Sequence, residues 1–161
     1  TTIAVLTNPT FRLVRAEIEA AAASLNQKIW FFEASTEREI EQAFIIIAQK
    51  TFRALLVASN PFFSQQRHQI ISLSARNNVA SIFDSRLQVA DGGLISYGTS
   101  YAETYRQAGT YVGRVLNGAK ISDLPVLFPS KFEMAVNLKT AKNLGLAIPL
   151  HIQQLADEVI E

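Results

Sequence analysis

Three pairs of polar residues stand directly after short apolar runs in the first part of the chain. They are Thr7-Asn8, Ser59-Asn60 and Asp84-Ser85. Hydroxyl, amide and carboxylate groups can hold a small polar ligand by hydrogen bonds, and a carboxylate such as Asp84 can also hold an ammonium group. These positions therefore predict ligand binding, and an amino acid is a natural ligand for Asp84.

The same residue types are common at the amino termini of helices. Asn8, Asn60 and Asp84 could do no more than cap the helices that follow them. Asp84 could instead pair with Arg86, two residues further along. A capping residue can also bind a ligand, so both interpretations stay open.

Tyr97 is a further ligand-binding candidate. Its ring could stack on a flat ligand or close a hinge, or it could pack over the turn formed by Gly92 and Gly93. Gly109 and Gly113 lie one turn apart in a helical pattern, and tight packing against a neighbouring element is the simplest reason for them.

The elements that must position the polar pairs are strands of a parallel sheet. Four apolar runs, each followed by a turn and a helical pattern, occupy residues 3–6, 28–32, 54–57 and 79–83. They do not alternate with polar residues, as is typical of parallel strands that are covered on both faces. The carboxyl ends of such strands meet at one edge, so the polar pairs should lie close together.

Local signals place the helices between these strands. Asn8 and Pro9 predict a helix start after the first strand, and Thr36 with Glu39 has the spacing of a capping box. A third, weaker helical pattern covers about residues 63–76. Strands and helices that alternate in this way indicate an α/β fold, a doubly wound parallel sheet in a three-layer αβα sandwich.

The second half of the chain continues with mixed elements. The pattern predicts strands over residues 94–97 and 132–136, and helices over 101–117 and 137–144, with a last helix that begins at Pro149. A connector that contains Pro125 and Pro129 separates the first of these helices from the second strand.

Composition and motifs exclude several function classes. Fifteen basic and fourteen acidic residues give a net charge of +1 and form no basic block, so no nucleic-acid partner is expected. The chain has no cysteine, no nucleophile elbow, no glycine-rich loop after its first strand and no cluster of metal-ligating residues. We expect neither an enzyme nor a bound cofactor or metal.

Several short stretches of the second half carry a family resemblance. They are GGLISYG at residues 92–98, GRVLNGAK at 113–120, DLPV at 123–126, KFE at 131–133 and NLKTAK at 137–142. In their order and spacing they are similar to the ABC-type solute-binding protein family related to tryptophan-binding TrpX. The resemblance covers the whole chain, more weakly in the first half.

The resemblance implies a type I periplasmic-binding-protein lobe. Residues 1–92 would be the second lobe, and residues 93–161 a hinge-crossing and C-terminal return segment. The chain starts at Thr1 directly in a predicted strand, so the first lobe is expected to be absent. The implied partners are a small organic ligand, such as an amino acid, and an ABC permease. The implied location is the periplasm, or the extracytoplasmic face with a lipid anchor.

The resemblance leaves one alternative to transport open. Related lobes serve as metabolite-sensing effector domains of regulators, so a sensory role stays open beside transport.

If the first lobe is absent, the helix over residues 101–117 should expose Tyr105, Val112 and Leu116. Because exposed apolar patches tend to find partners, we expect a homodimer through this helix, with or without exchange of C-terminal segments.

Overall fold

A computed structural model describes residues 2–161 of the chain. The strands are β1 (Thr2–Thr7), β2 (Lys28–Glu33), β3 (Ala54–Val57), β4 (Ala80–Phe83), β5 (Ile95–Thr99), β6 (Phe132–Asn137) and β7 (Glu158–Ile160). The helices are α1 (Arg12–Ser24), α2 (Glu37–Gln49), α3 (Pro61–Gln65), α4 (Arg67–Arg76), α5 (Arg86–Ala90), α6 (Tyr101–Leu116), α7 (Leu138–Asn143) and α8 (Leu150–Leu155), with a 3-10 turn at Ile121–Asp123.

All seven strands form one sheet in the order β2-β1-β3-β4-β5-β6-β7. The first five strands are parallel, β6 runs antiparallel to β5, and β7 is parallel to β6. The expected α/β fold is confirmed, together with its four predicted strands. The short strand β7 was not expected, and the sheet is mixed at its far edge.

One face of the sheet carries the main hydrophobic core. Successive strand residues point to opposite faces, so Ala4 and Leu6 of β1 lie on the same side. On that side they pack with Phe44 of α2 and Ile70 of α4, which are almost fully buried. Burying side chains of this size stabilises the fold by about 1.5–3 kcal/mol each.

Helix α1 lies over the opposite face of the sheet. Its side chains Ile18 and Ala21 line one cavity together with Ile3 and Val5, the other pair of β1 residues. Helices therefore lie on both faces, as the doubly wound arrangement requires.

Two of the predicted helix starts are confirmed and one is wrong. Thr36 and Glu39 form a complete capping box, and the Asn60 side chain accepts a hydrogen bond from the amide of Phe62. Asn8 does not cap α1, because its side chain accepts from Thr10 and the helix begins only at Arg12. The third predicted helix is two helices, α3 and α4.

Residues 101–131 form an excursion that we call the arm. It leaves the sheet one residue after β5 and returns at β6, where Thr99 pairs with Phe132. No residue of helix α6 is buried, and Tyr105, Val112 and Leu116 are exposed as expected. A Cβ atom on Gly109 or Gly113 would meet nothing within 4 Å in the described part of the chain, so tight packing within this chain does not explain them.

Strand β5 passes very close to the residue that follows β4. A Cβ atom on Gly98 would lie 1.9 Å from the carbonyl oxygen of Asp84. Any larger residue must therefore push β5 away from the end of β4, where the polar residue Asp84 is held.

We expect Gly98→Ala to lower the free energy of unfolding by about 1–3 kcal/mol, because the added methyl group overpacks a contact with backbone. Gly113→Ala is the matched control, since an added methyl group there meets open space. It should leave stability unchanged or raise it by up to about 1 kcal/mol through helix propensity. Urea denaturation at low protein concentration measures both, and equal stability of the two variants would contradict the expectation.

Candidate functional site

The ends of strands β1, β3 and β4 lie side by side at one edge of the sheet. Leu6 pairs with Val57, so Thr7 at the end of β1 stands beside the start of the loop that contains Ser59. The Ser59 hydroxyl donates to a carboxylate oxygen of Asp84, with 2.5 Å between the oxygens. The structure thus brings together the residues after these three strands, as the parallel sheet predicts.

Asp84 is held by Ser59 and not by the partners considered from the sequence. Arg86 instead pairs with Glu158 of β7, whose hydrogen bond and negative charge raise the pKa of the guanidinium. The cap of α5 is Ser85, whose hydroxyl accepts from Leu87 and whose amide donates to Gln88. The predictions that Asp84 caps α5 or pairs with Arg86 are wrong, so its carboxylate faces the edge beside Ser59.

Two polar side chains at this edge are buried, and each leaves one polar atom without a hydrogen-bond partner. Thr7 is 4% exposed and Asn60 is 5% exposed. The hydroxyl oxygen of Thr7 and the side-chain nitrogen of Asn60 have no partner in the structure. A buried polar group without a hydrogen bond costs about 1–3 kcal/mol, so the folded protein carries this cost at two places on one edge.

The remaining predicted residues have local roles. Asn8 is buried and accepts hydrogen bonds from both the amide and the hydroxyl of Thr10. These two hydrogen bonds close the turn that follows β1, next to Thr7. Ser85 caps α5, as described above.

Tyr97 lies in the middle of β5, where it pairs with Met134 of β6. Its ring is exposed and stacks on Phe132, with 5.9 Å between the ring centroids and 14° between the planes. The alternative that Tyr97 packs over the turn at Gly92 and Gly93 is wrong, because its ring stacks on Phe132, the first residue of β6.

Tyr101 is a residue of this edge that sequence reasoning missed. Burial raises the pKa of its phenol, and the negative charge of Asp84 raises it further. Tyr101 also lines a cavity of about 720 Å³, together with residues of α3, α5 and β6 such as Gln65, Arg86 and Glu133. Its position two residues after the end of β5 is the signal that could have identified it.

The chemistry of the edge is that of recognition by hydrogen bonds. It combines an amide donor at Asn60, a hydroxyl at Thr7, and the carboxylate of Asp84. Among residues 2–161 there is no group of three or more His, Cys, Asp or Glu side chains that could hold a metal ion. No helix in the same part of the chain is long and apolar enough to cross a membrane.

One family model matches the sequence. It is described as ABC transporter substrate binding protein, and the match covers residues 1–160. No curated protein matches the chain.

Solved structures with the same fold come from several bacteria. An ABC domain in complex with L-Trp from Streptococcus pneumonia has a TM-score of 0.88 at 23% identity, with 99% of this chain and 55% of that chain covered. A conserved domain protein from Vibrio cholerae has a TM-score of 0.88 at 20% identity, with 98% and 54% covered. The ligand-free, open structure of a substrate binding protein with adhesive properties from Clostridium difficile has a TM-score of 0.71 at 20% identity, with 99% and 54% covered. The chain therefore spans about half the length of these proteins.

We expect Asp84→Asn to lower the pKa of Tyr101, because the negative charge of Asp84 is one of the influences that raise it. The pKa should stay above its ordinary value, since burial is the larger cause. Carbon-13 NMR of labelled tyrosine measures it, and Tyr101→Phe identifies the resonance.

The sign of the pH effect on stability follows from the raised pKa of Tyr101. The neutral phenol is favoured in the folded state, so Tyr101 stabilises the fold fully below the ordinary pKa of about 10. This stabilisation is lost as pH rises through the folded pKa.

For the Asp84→Asn variant, an unchanged Tyr101 titration would show that the two groups do not interact.

Proposed function

We propose that this chain, which belongs to the ABC transporter substrate-binding protein family, forms one wall of a cleft that captures a small organic solute. The observation that carries the proposal is the pair of buried, unpartnered polar atoms on Thr7 and Asn60 beside the carboxylate of Asp84. Both atoms are closed to solvent in the structure, and a ligand that gains access to them would supply the missing hydrogen bonds and recover the cost of leaving them unmade.

The ligand class that best fits this edge is an amino acid in its zwitterionic form. The amide nitrogen of Asn60 is a donor and the hydroxyl of Thr7 can donate, so both suit a carboxylate. The carboxylate of Asp84 suits an ammonium group, and the Ser59 hydrogen bond leaves it further acceptor capacity. The exposed ring of Tyr97 offers a surface for stacking with an aromatic side chain.

In this proposal residues 1–92 are the second lobe of a two-lobed clamp and residues 93–161 cross the hinge and return. The chain covers about half of its structural relatives, which supports a further lobe that supplies the opposite wall. The clamp would deliver its solute to an ABC permease. It would work outside the cytoplasm, in the periplasm or held by a lipid anchor.

The role is binding and not catalysis. The family to which the chain belongs consists of substrate-binding proteins, and the groups at the edge suit a ligand held by hydrogen bonds and charge. The same membership favours transport over the sensory role of a regulator's effector domain. A helix-turn-helix encoded directly upstream in the gene would reverse that preference.

The ligand class can be tested on the chain as it stands by two-dimensional NMR with L-tryptophan and L-leucine at millimolar concentration. We expect shifts in the amide resonances of Thr7, Asn60 and Asp84. Asp84→Asn should weaken binding by about tenfold to a hundredfold, because a hydrogen bond to a charged group contributes about 1.5–3 kcal/mol.

Two analogues of tryptophan separate the two halves of the contact. N-acetyl-L-tryptophan has no ammonium group, so its binding should be insensitive to Asp84→Asn. Tryptamine has no carboxylate, so its binding should be insensitive to Asn60→Ala. If no amino acid perturbs these resonances, the proposed ligand class is wrong.

A further inference from the structure

Arg86 and Asp84 are only two positions apart in the chain, yet each pairs with a different residue. Ser85 between them has extended backbone, and side chains two positions apart on extended backbone point to the same side. A cavity of about 720 Å³ is lined by both Ser85 and Arg86, so the long arginine side chain has room to move. The carboxylate of Asp84 nevertheless accepts its hydrogen bond from Ser59, and the guanidinium of Arg86 turns elsewhere.

Glu158 of β7 is the residue that holds Arg86. The Nε and Nη2 atoms of Arg86 donate to the two carboxylate oxygens of Glu158, with 2.7 Å between Nη2 and its acceptor. This two-pronged contact matches the planar fork of a guanidinium to a carboxylate. The hydrogen bond and the charge of Glu158 raise the pKa of Arg86, and the charge of Glu133 adds a smaller effect in the same direction. The positive charge of Arg86 is therefore directed at β6 and β7.

Strand β7 fixes the position from which Glu158 reaches Arg86. The amide of Asp157 donates to the carbonyl of Met134, and the amide of Met134 donates to the carboxylate of Asp157, each over 2.8 Å. Glu158 then pairs with Ala135 in the parallel register of β6. Because the ion pair between Glu158 and Arg86 is partly exposed, it contributes little to stability. Its larger effect is on where the positive charge lies.

We infer that Glu158 is a positioning residue for the ligand site, because it holds Arg86 away from Asp84 and so keeps the Asp84 carboxylate available for the ammonium group of a ligand. This inference deepens the proposed function and rests on it. Without Glu158, the guanidinium of Arg86 would be attracted to the nearby charge of Asp84 and would neutralise it. An ammonium group would then have to displace an arginine that is already bound.

The two halves of the ion pair should affect ligand binding differently, and two-dimensional NMR with L-tryptophan measures this. Glu158→Gln should weaken binding by roughly tenfold, because Arg86 then competes with the ammonium group for Asp84. Arg86→Gln should bind at least as tightly as the unaltered chain, because no arginine competes. The double variant should also regain tight binding. N-acetyl-L-tryptophan is the matched control, since it has no ammonium group and should bind all four proteins alike.

Titration of Tyr101 tests the same step without any ligand. The charge of Asp84 raises the pKa of Tyr101, and arginine stays protonated throughout the titration of a tyrosine. Glu158→Gln should therefore lower the pKa of Tyr101, Arg86→Gln should leave it unchanged, and the double variant should restore it. Carbon-13 NMR of labelled tyrosine measures all three. If L-tryptophan does not bind the unaltered chain, the proposed ligand class is wrong, and the Tyr101 titration alone decides whether Glu158 restrains Arg86.

Two results would overturn the inference. Equal weakening of L-tryptophan binding by Glu158→Gln and Arg86→Gln would show that the ion pair only holds α5 in place. An unchanged Tyr101 titration in Glu158→Gln would show that Arg86 stays away from Asp84 without Glu158, for example on Glu133. Because glutamine has the shape of glutamate and Glu158 is partly exposed, Glu158→Gln should fold normally, and an unchanged circular dichroism spectrum checks this.

Discussion

Parallel pairing of β1, β3 and β4 determines where the candidate ligand groups lie, because it puts three strand ends at one edge. The register of Leu6 with Val57 places Thr7 beside the loop of Ser59, and that loop reaches Asp84. The close passage of Gly98 over the Asp84 carbonyl then fixes the neighbouring strand β5 and with it the start of the arm. The polar edge and the arm are consequences of one ladder of backbone hydrogen bonds.

Features that depend on neighbouring residues could be predicted from the sequence. Six of the seven strands, the capping box of α2 and the Asn60 cap follow from local composition, and all are present. Contacts between distant residues could not be predicted in the same way. Asp84 seemed free to cap α5, but its partner Ser59 is 25 residues away. Asn8 has the right type for a cap, yet its side chain closes a turn with Thr10 before the helix starts.

The structure leaves two polar atoms at the strand ends unsatisfied. The hydroxyl oxygen of Thr7 and the side-chain nitrogen of Asn60 are buried and lack hydrogen bonds. This costs free energy in the folded chain, and a hydrogen-bonding group that reaches either atom would recover that cost. Helix α6 also leaves an apolar stripe exposed, and exposed apolar surface of this kind is typical of sites that contact further polypeptide.

The orphan polar atoms also bear on selectivity. A ligand that satisfies Asn60 and Asp84 together gains two hydrogen bonds, whereas a ligand without the matching group leaves a buried donor or a carboxylate without its partner. A site built to hydrogen-bond a group rejects analogues without it far more strongly than an apolar pocket rejects a missing methylene. In the proposed cleft, this edge should therefore distinguish ligands mainly by their charged groups, and the opposite wall should distinguish them by their side chains.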